Sequence, residues 1–145
     1  MRTAAENMTT NPAAGQVGET MLSSLTTLRV GGPVGTLVEA AGEDELIATI
    51  QEADRRSEPL LVLGGGSNIL AADTPFAGVV VRDARRGITV ESAAACGGAA
   101  LRIPAGQPWD DVVLRAVTEG WRGIEALSGI PGSTGATPEI GRAHV

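Results

Sequence analysis

Hydrophobic and polar positions along the chain change period several times, and each change predicts an element. Gly35 to Ala41 (GTLVEAA) follows the turn signal Gly31-Gly32-Pro33 and predicts a first strand. Glu43 to Arg56 has helical spacing. Leu46, Ile47, Ile50 and Ala53 form one apolar stripe, acidic residues fill the first turn, and Arg55 and Arg56 stand at the negative end. Pro59 to Leu63 (PLLVL) is a short unbroken apolar run, as expected of a strand buried on both faces. It empties directly into Gly64-Gly65-Gly66-Ser67-Asn68. Strand, helix and strand in this order predict a βαβ unit with a right-handed crossover.

Beyond residue 77 the pattern becomes that of short β segments with turns between them. Gly78 to Arg82, Gly87 to Ser92 and Ala99 to Ile103 predict an antiparallel patch. A second helix is expected to open at Pro108, placed in its first turn with Asp110 and Asp111. Val112, Val113, Ala116 and Val117 supply its buried stripe, and Gly120 suits its C-terminal cap. Gly123 to Pro138 reads as a loop rich in Gly, Pro, Ser and Thr. The fold class expected is α+β: a small βαβ lobe over residues 21–72, then an incomplete second α+β lobe over residues 73–138. Residues 1–20 read as a polar tail with too little apolar surface to order itself.

Composition narrows the chemistry. The 145-residue chain carries a net charge of −6, and all 11 of its basic residues are Arg. An acidic chain without a basic run is poorly suited to nucleic acid, whose binding needs clustered cations. The absence of Lys excludes a Walker-type loop and a Schiff-base Lys, so a bound phosphate must be held mainly by backbone N–H groups, with help from an Arg. Cys96 stands alone, which leaves no internal disulfide framework and no Cys-rich metal site. Packing is the expected role of that residue. No stretch approaches the roughly 20 continuous apolar residues of a membrane span, and the N-terminal residues lack a secretory apolar run. A cytoplasmic location is expected.

Two loops concentrate the signal. In Leu63 to Leu70 (LGGGSNIL), three glycines after a buried strand let main chain approach a ligand with no Cβ in the way. Successive N–H groups in such a loop can form an anion-binding nest, to which the Ser67 hydroxyl and the Asn68 amide can add donors. No helical pattern follows, so this is not a Rossmann fingerprint. In Gly123 to Pro138 (GIEALSGIPGSTGATP), small residues at Gly129, Gly132, Gly135 and Ala136 would let main chain lie against a flat ring. Pro131 and Pro138 would stiffen that loop, and Ser133, Thr134 and Thr137 offer hydroxyl donors. Alone, the first loop could be a flexible turn and the second a disordered tail.

Taken together, GGGSN and SGIPGSTGATP resemble the flavin-binding domain of the UDP-N-acetylenolpyruvoylglucosamine reductase family. That family is part of the wider p-cresol methylhydroxylase type of flavoproteins. The opening TTLRVGGP (Thr26 to Pro33) and IPAGQPWDDVV (Ile103 to Val113) resemble it too, so the likeness covers roughly residues 20–138. The resemblance implies that Gly64, Gly65, Gly66, Ser67 and Asn68 wrap the pyrophosphate of FAD. It places Gly129, Ile130, Pro131, Gly132, Gly135, Ala136, Thr137 and Pro138 along the flavin end. It further implies a flavoenzyme that uses NADPH to reduce UDP-N-acetylglucosamine enolpyruvate to UDP-N-acetylmuramate in peptidoglycan precursor synthesis. Covalent relatives of the wider group often carry a His beside the glycine loop. Ser67 stands there in this chain, and its one His is His144, so the FAD is expected to be non-covalent.

The family's catalytic Ser, Glu and Arg fall in segments with no counterpart here, and the Tyr beside that Arg has none either, since the chain contains no Tyr. No catalytic residue is therefore assigned, and the fragment is expected to be inactive alone. Residues 139–145 leave the family pattern and can be encoded by a common sequencing-library adapter. They are expected to be a non-native tail on a truncated reading frame. Two other readings remain open on sequence grounds: a dinucleotide-binding module without catalysis, and a different flavin oxidoreductase of the same wide group.

Overall fold

The computed structural model describes residues 20–94 and 98–137. Cys96, Pro138, His144, the tail expected at 139–145 and the N-terminal tail up to residue 19 lie outside those residues. A one-turn helix, α1 (Leu22–Leu25), precedes β1 (Val34–Ala40), α2 (Glu43–Arg55), β2 (Leu60–Leu63) and β3 (Phe76–Asp83). Then come β4 (Thr89–Ala94), β5 (Gly98–Arg102) and α3 (Trp109–Thr118), with a 3-10 turn at Glu125–Leu127. The helix α1 has no counterpart in the sequence reading, because one turn is too short to show a period.

β1, β3 and β2 form a parallel sheet in that spatial order, with Leu37 and Leu61 both registered on Val80. β3 is therefore the central strand of the first sheet. The expectation that Gly78 to Arg82 belongs to an antiparallel patch is overturned. The physical reason is visible in Val79-Val80-Val81, an unbroken apolar run with exposures of 9%, 0% and 0%. Such a run needs cover on both faces, which a central parallel strand has and a half-exposed hairpin strand lacks. Val80 joins Leu22, Val34 and Leu63 in one cluster, with Leu37, Leu61 and Phe76 packed around it. Strand alternation turns Val79 and Val81 to the other face, on the side of the sheet that α2 covers.

The other two β segments behave as expected: β4 and β5 pair antiparallel, with Val90 opposite Leu101. Trp109, Val112 and Val113 of α3 build a second small core with Ile88, Ile103, Ile124 and Ile130. Both helical stripes are narrower than their sequence patterns. In α2 Ala53 is buried and Leu46 and Ile50 are half-buried, leaving Ile47 44% exposed at their margin. In α3 the line is Trp109, Val112, Val113, Ala116, and Val117 is 55% exposed. Pro108 is the residue just before α3, with ψ 134°, and not part of its first turn.

Both long helices end in the same hydrogen-bonded motif. After α3, the N–H groups of Trp121 and Gly120 donate to the carbonyls of Ala116 (2.8 Å) and Val117 (3.1 Å), with Gly120 at φ +74°. After α2, Glu58 and Ser57 donate to Ala53 and Asp54, both at 2.9 Å, and here the left-handed position, φ +51°, is held by Ser57. Ser57 has a Cβ where glycine would have none. Ser57→Gly is expected to stabilise the fold by about 0.5–1 kcal/mol, read as a rise in thermal midpoint. Gly120→Ala is expected to lower it by a similar amount.

Candidate functional site

The connection from β2 to β3, residues 64–75, carries no helix. Parallel neighbours are more often joined through one. Here the crossover is the glycine loop itself, lying at the carboxyl end of β2, where open parallel sheets present ligands. Gly66 is buried at φ +70°, and a Cβ there would fall 2.0 Å from the Leu25 carbonyl oxygen. On the same side, the Thr27 N–H donates to the Gly66 carbonyl at 2.9 Å. The segment after α1 thus grips one flank of the loop by main chain alone.

The other flank is met by the second loop. A Cβ on Gly65 would sit 3.3 Å from Gly132 Cα, one on Gly64 would sit 3.2 Å from Ser133 Oγ, and one on Gly132 would sit 3.2 Å from Ser67 Oγ. The two loops, far apart in the chain, therefore meet through glycine main chain at Gly65 and Gly132 and through the Ser67 and Ser133 hydroxyls beside it. Among the described residues, the N–H groups of Gly65, Gly66, Ser67 and Asn68 donate to no protein acceptor. Gly64, Gly65 and Asn68 are exposed and Ser67 is half-buried. Unengaged donors on a Cβ-free ridge are what an anion requires.

The second loop is held in place by residues to which the sequence reading gave no role. Gly132 accepts from the Trp109 N–H (3.1 Å), Thr134 donates to the Gln107 carbonyl (2.8 Å), and Gly135 donates to the Ala105 carbonyl (2.9 Å). Gly129 is tied elsewhere, its N–H on Asp110 Oδ1 at 2.8 Å. Ile130 packs into the Trp109 core and Pro131 is exposed. The Thr137 hydroxyl reaches the Ser133 carbonyl at 3.5 Å, and Ala136 donates back to the same carbonyl at 2.9 Å. So Gly132 and Ser133 stand at the junction with Gly64, Gly65 and Ser67, whereas Gly129 and Ile130 are turned to α3.

The turn at residues 104–107 is itself anchored to the end of β3. The Asp83 carboxylate accepts from the Arg85 side chain (2.9 Å to each oxygen), from the Arg85 N–H (3.0 Å) and from the Gly106 N–H (3.2 Å). Arg86 Nη1 donates to the Gly106 carbonyl at 2.6 Å. Gln107, 6% exposed, accepts from the Gly87 N–H at 2.8 Å and donates to Asp111 at 3.0 Å. The Arg85 side-chain hydrogen bonds are the main cause holding the Asp83 carboxyl below its usual range, opposed by partial burial. The IPAGQPWDDVV motif contains Gly106, Gln107 and Asp111, but only the fold reveals that they and the end of β3 clamp the second loop.

A parallel-sheet lobe whose glycine loop is met by a second main-chain ridge describes a flavin-dinucleotide type of domain, and residues 34–142 match the FAD binding domain family. The chain belongs to that family, and the α+β flavin-binding fold expected from the sequence stands. It is 55% identical over 117 residues to UDP-N-acetylenolpyruvoylglucosamine reductase of Cutibacterium acnes, covering 81% of this chain and 31% of that protein. The enzyme of the same name from Leifsonia xyli subsp. xyli is 53% identical over 117 residues, with the same coverages. A crystal structure of UDP-N-acetylenolpyruvylglucosamine reductase from Thermus caldophilus superposes with TM-score 0.59 at 29% identity, covering 84% of this chain and 41% of that one. The chain spans about a third of the length of the curated relatives it matches.

The residues present fit FAD. The ridge of Gly64, Gly65 and Gly132 is a cradle that side chains would fill, and the loop keeps its N–H donors unengaged by protein among the described residues. Ser133, 9% exposed, presents its hydroxyl at the same junction. No described helix is long and apolar enough to cross a membrane.

Gly66 combines positive φ with a carbonyl in its Cβ position. Gly66→Ala is therefore expected to cost more than about 2 kcal/mol, measured by chemical denaturation. Asp83 has a folded pKa below its unfolded value, so its contribution is complete above the unfolded pKa near ~4 and is lost as pH falls through the folded value. Asp83→Asn is expected to destabilise the neutral protein by about 2 kcal/mol and to flatten the acid limb of stability against pH.

Proposed function

We propose that this chain is the flavin-holding part of an NADPH-dependent oxidoreductase that reduces UDP-N-acetylglucosamine enolpyruvate to UDP-N-acetylmuramate. The carrying observation is the backbone contact between Gly65 and Gly132, which joins the two loops into one ridge of unengaged donors. In this reading the N–H groups of Gly65 to Asn68 hold the FAD pyrophosphate, helped by the Ser67 and Ser133 hydroxyls. Gly132, Gly135, Ala136 and Thr137 carry main chain on toward the flavin end, with Pro138 continuing it. Gly129 and Ile130 fix that loop on Asp110 and the Trp109 core, so their part is to orient it, and the ring of Pro131 stiffens the chain between them and Gly132.

FAD supplies hydride chemistry when bound, while the protein determines its position and surroundings. This chain's own work is to bind, to orient and to keep side chains larger than those of Ser67 and Ser133 out of the junction. Ser67 stands where covalent relatives of the wider group carry a His, which supports non-covalent attachment. NADPH and the UDP-sugar substrate meet the flavin in a protein of the relatives' full length, and the groups that protonate substrate belong to its other segments. The product of that reaction is a peptidoglycan precursor, so the place of the activity is cell-wall synthesis in the cytoplasm.

The purified 145-residue chain, incubated with FAD and desalted, is expected to keep visible flavin absorbance in near-equimolar amount. Gly65→Val places a branched side chain against Gly132 and is expected to weaken FAD at least about tenfold, roughly 1.4 kcal/mol, with the fold intact by circular dichroism. A wild-type chain that emerges colourless would overturn this reading.

A further inference from the structure

TTLRVGGP is a sequence motif to which the flavin ridge assigns no ligand. Its Arg29 is unusual in backbone and in charge. Among the described residues only Arg29 (φ +54°) and Ser57 are non-glycine residues at positive φ, and Ser57 is accounted for by the end of α2. Arg29 closes no helix. It is held by its N–H on the Thr26 carbonyl at 3.2 Å and by the buried Thr26 hydroxyl, which donates to the Val30 carbonyl at 3.2 Å. Backbone strain that secondary structure does not require is a pointer to a site.

Arg29 lines an open cleft of about 540 Å³ together with Ser23, Thr27, Gly65 and Arg82. Arg82 is paired with Glu39 at 3.2 Å, whereas the Arg29 guanidinium has no carboxylate within 4.0 Å among the described residues. The Ser23 and Thr27 hydroxyls likewise donate to no protein acceptor there, while the Thr26 hydroxyl is used within its own turn. Gly65 is common to both places: it lines the cleft and touches Gly132. An unpaired guanidinium beside free hydroxyls and a loop N–H matches a phosphate, which Arg binds through two parallel hydrogen bonds. The chain's net charge of −6 favours a small discrete anion over a polyanion.

We propose that this cleft is a nucleotide-phosphate subsite, with Arg29 as its principal ligand and Ser23, Thr27 and Arg82 completing it. It deepens the flavin reading, on which the identity of the nucleotide rests. Two sources present the same chemistry: FAD itself, or a second nucleotide such as the UDP-sugar. The left-handed backbone at Arg29 is the cost of aiming its side chain into the cleft.

The test is calorimetric titration of the full 145-residue chain with FAD, FMN, ADP and UDP, for wild type, Arg29→Gly and Arg29→Lys. Arg29→Gly relieves the backbone strain, so it is expected to melt at or above the wild-type temperature while binding nucleotide at least about tenfold more weakly. Its binding is also expected to depend less on salt, and Arg29→Lys is expected to fall between the two. A purely structural arginine would not raise stability and lower affinity in the same variant. Loss for FAD and ADP with FMN unchanged assigns the subsite to the adenylate half of FAD. Loss for FMN as well assigns it to the flavin-side phosphate. Loss for UDP alone assigns it to the second nucleotide. Arg29→Gly binding all four as wild type does would overturn the subsite. A wild-type chain that binds ADP or UDP through Arg29 but not FAD overturns the flavin reading and leaves the subsite standing. A chain that binds none overturns both.

Discussion

Everything at the junction depends on two glycine-rich stretches lying against each other with only the Ser67 and Ser133 hydroxyls between them. Where Gly64 and Gly65 face Gly132 and Ser133, the Cβ positions would be 3.2–3.3 Å from the neighbouring atoms. Larger residues would hold the loops apart, and the N–H groups of the first loop would then no longer share a ridge with the second. Main chain is well suited to this task because its donors are fixed by the fold and cost no side-chain entropy when an anion arrives. The absence of Lys from the whole chain is consistent with that arrangement.

A contact between backbones has little adhesion of its own, so its geometry must come from what stands behind each loop. Behind the first loop is the parallel sheet, where Leu63, 2% exposed, is locked into the same cluster as Val80. Behind the second loop stands a chain of polar contacts that begins on the same strand. Asp83, the last residue of β3, fixes Gly106, and residues 105–109 in turn hold Gly132, Thr134 and Gly135 by main-chain hydrogen bonds. β3 therefore references both loops to one element. A central strand buried on both faces is the least mobile place from which to do so.

The buried polar side chains follow from the same constraint. Among the described residues they are Thr26, Gln107 and Ser133, and all three lie at or beside the loops. Buried polar groups are costly unless paired. Thr26 closes the turn that carries Arg29, and Gln107 bridges Gly87 to α3. Ser133 keeps its hydroxyl at the glycine junction. Their concentration here marks where the molecule departs from simple core packing.

Much of this was legible in the chain itself. The strand–helix–strand order, the ends of α2, the C-terminal cap of α3 and the β4–β5 pair were readable because period, charge placement and turn residues are local signals. Both loops stood out in the sequence by their glycines, hydroxyls and prolines. The tertiary structure alone decided that β3 lies between β1 and β2, since an apolar run does not say which strands will cover it. It alone decided that Gly132 and Ser133, and not Gly129, meet the first loop, because which glycine touches which is settled by register across the fold. Gly106 and Gln107 lie in a motif the sequence shows, but nothing in the sequence joins them to Asp83. Their role exists only once folding has brought the end of β3 under the second loop, where a carboxylate and an amide can reach the main chain that positions it.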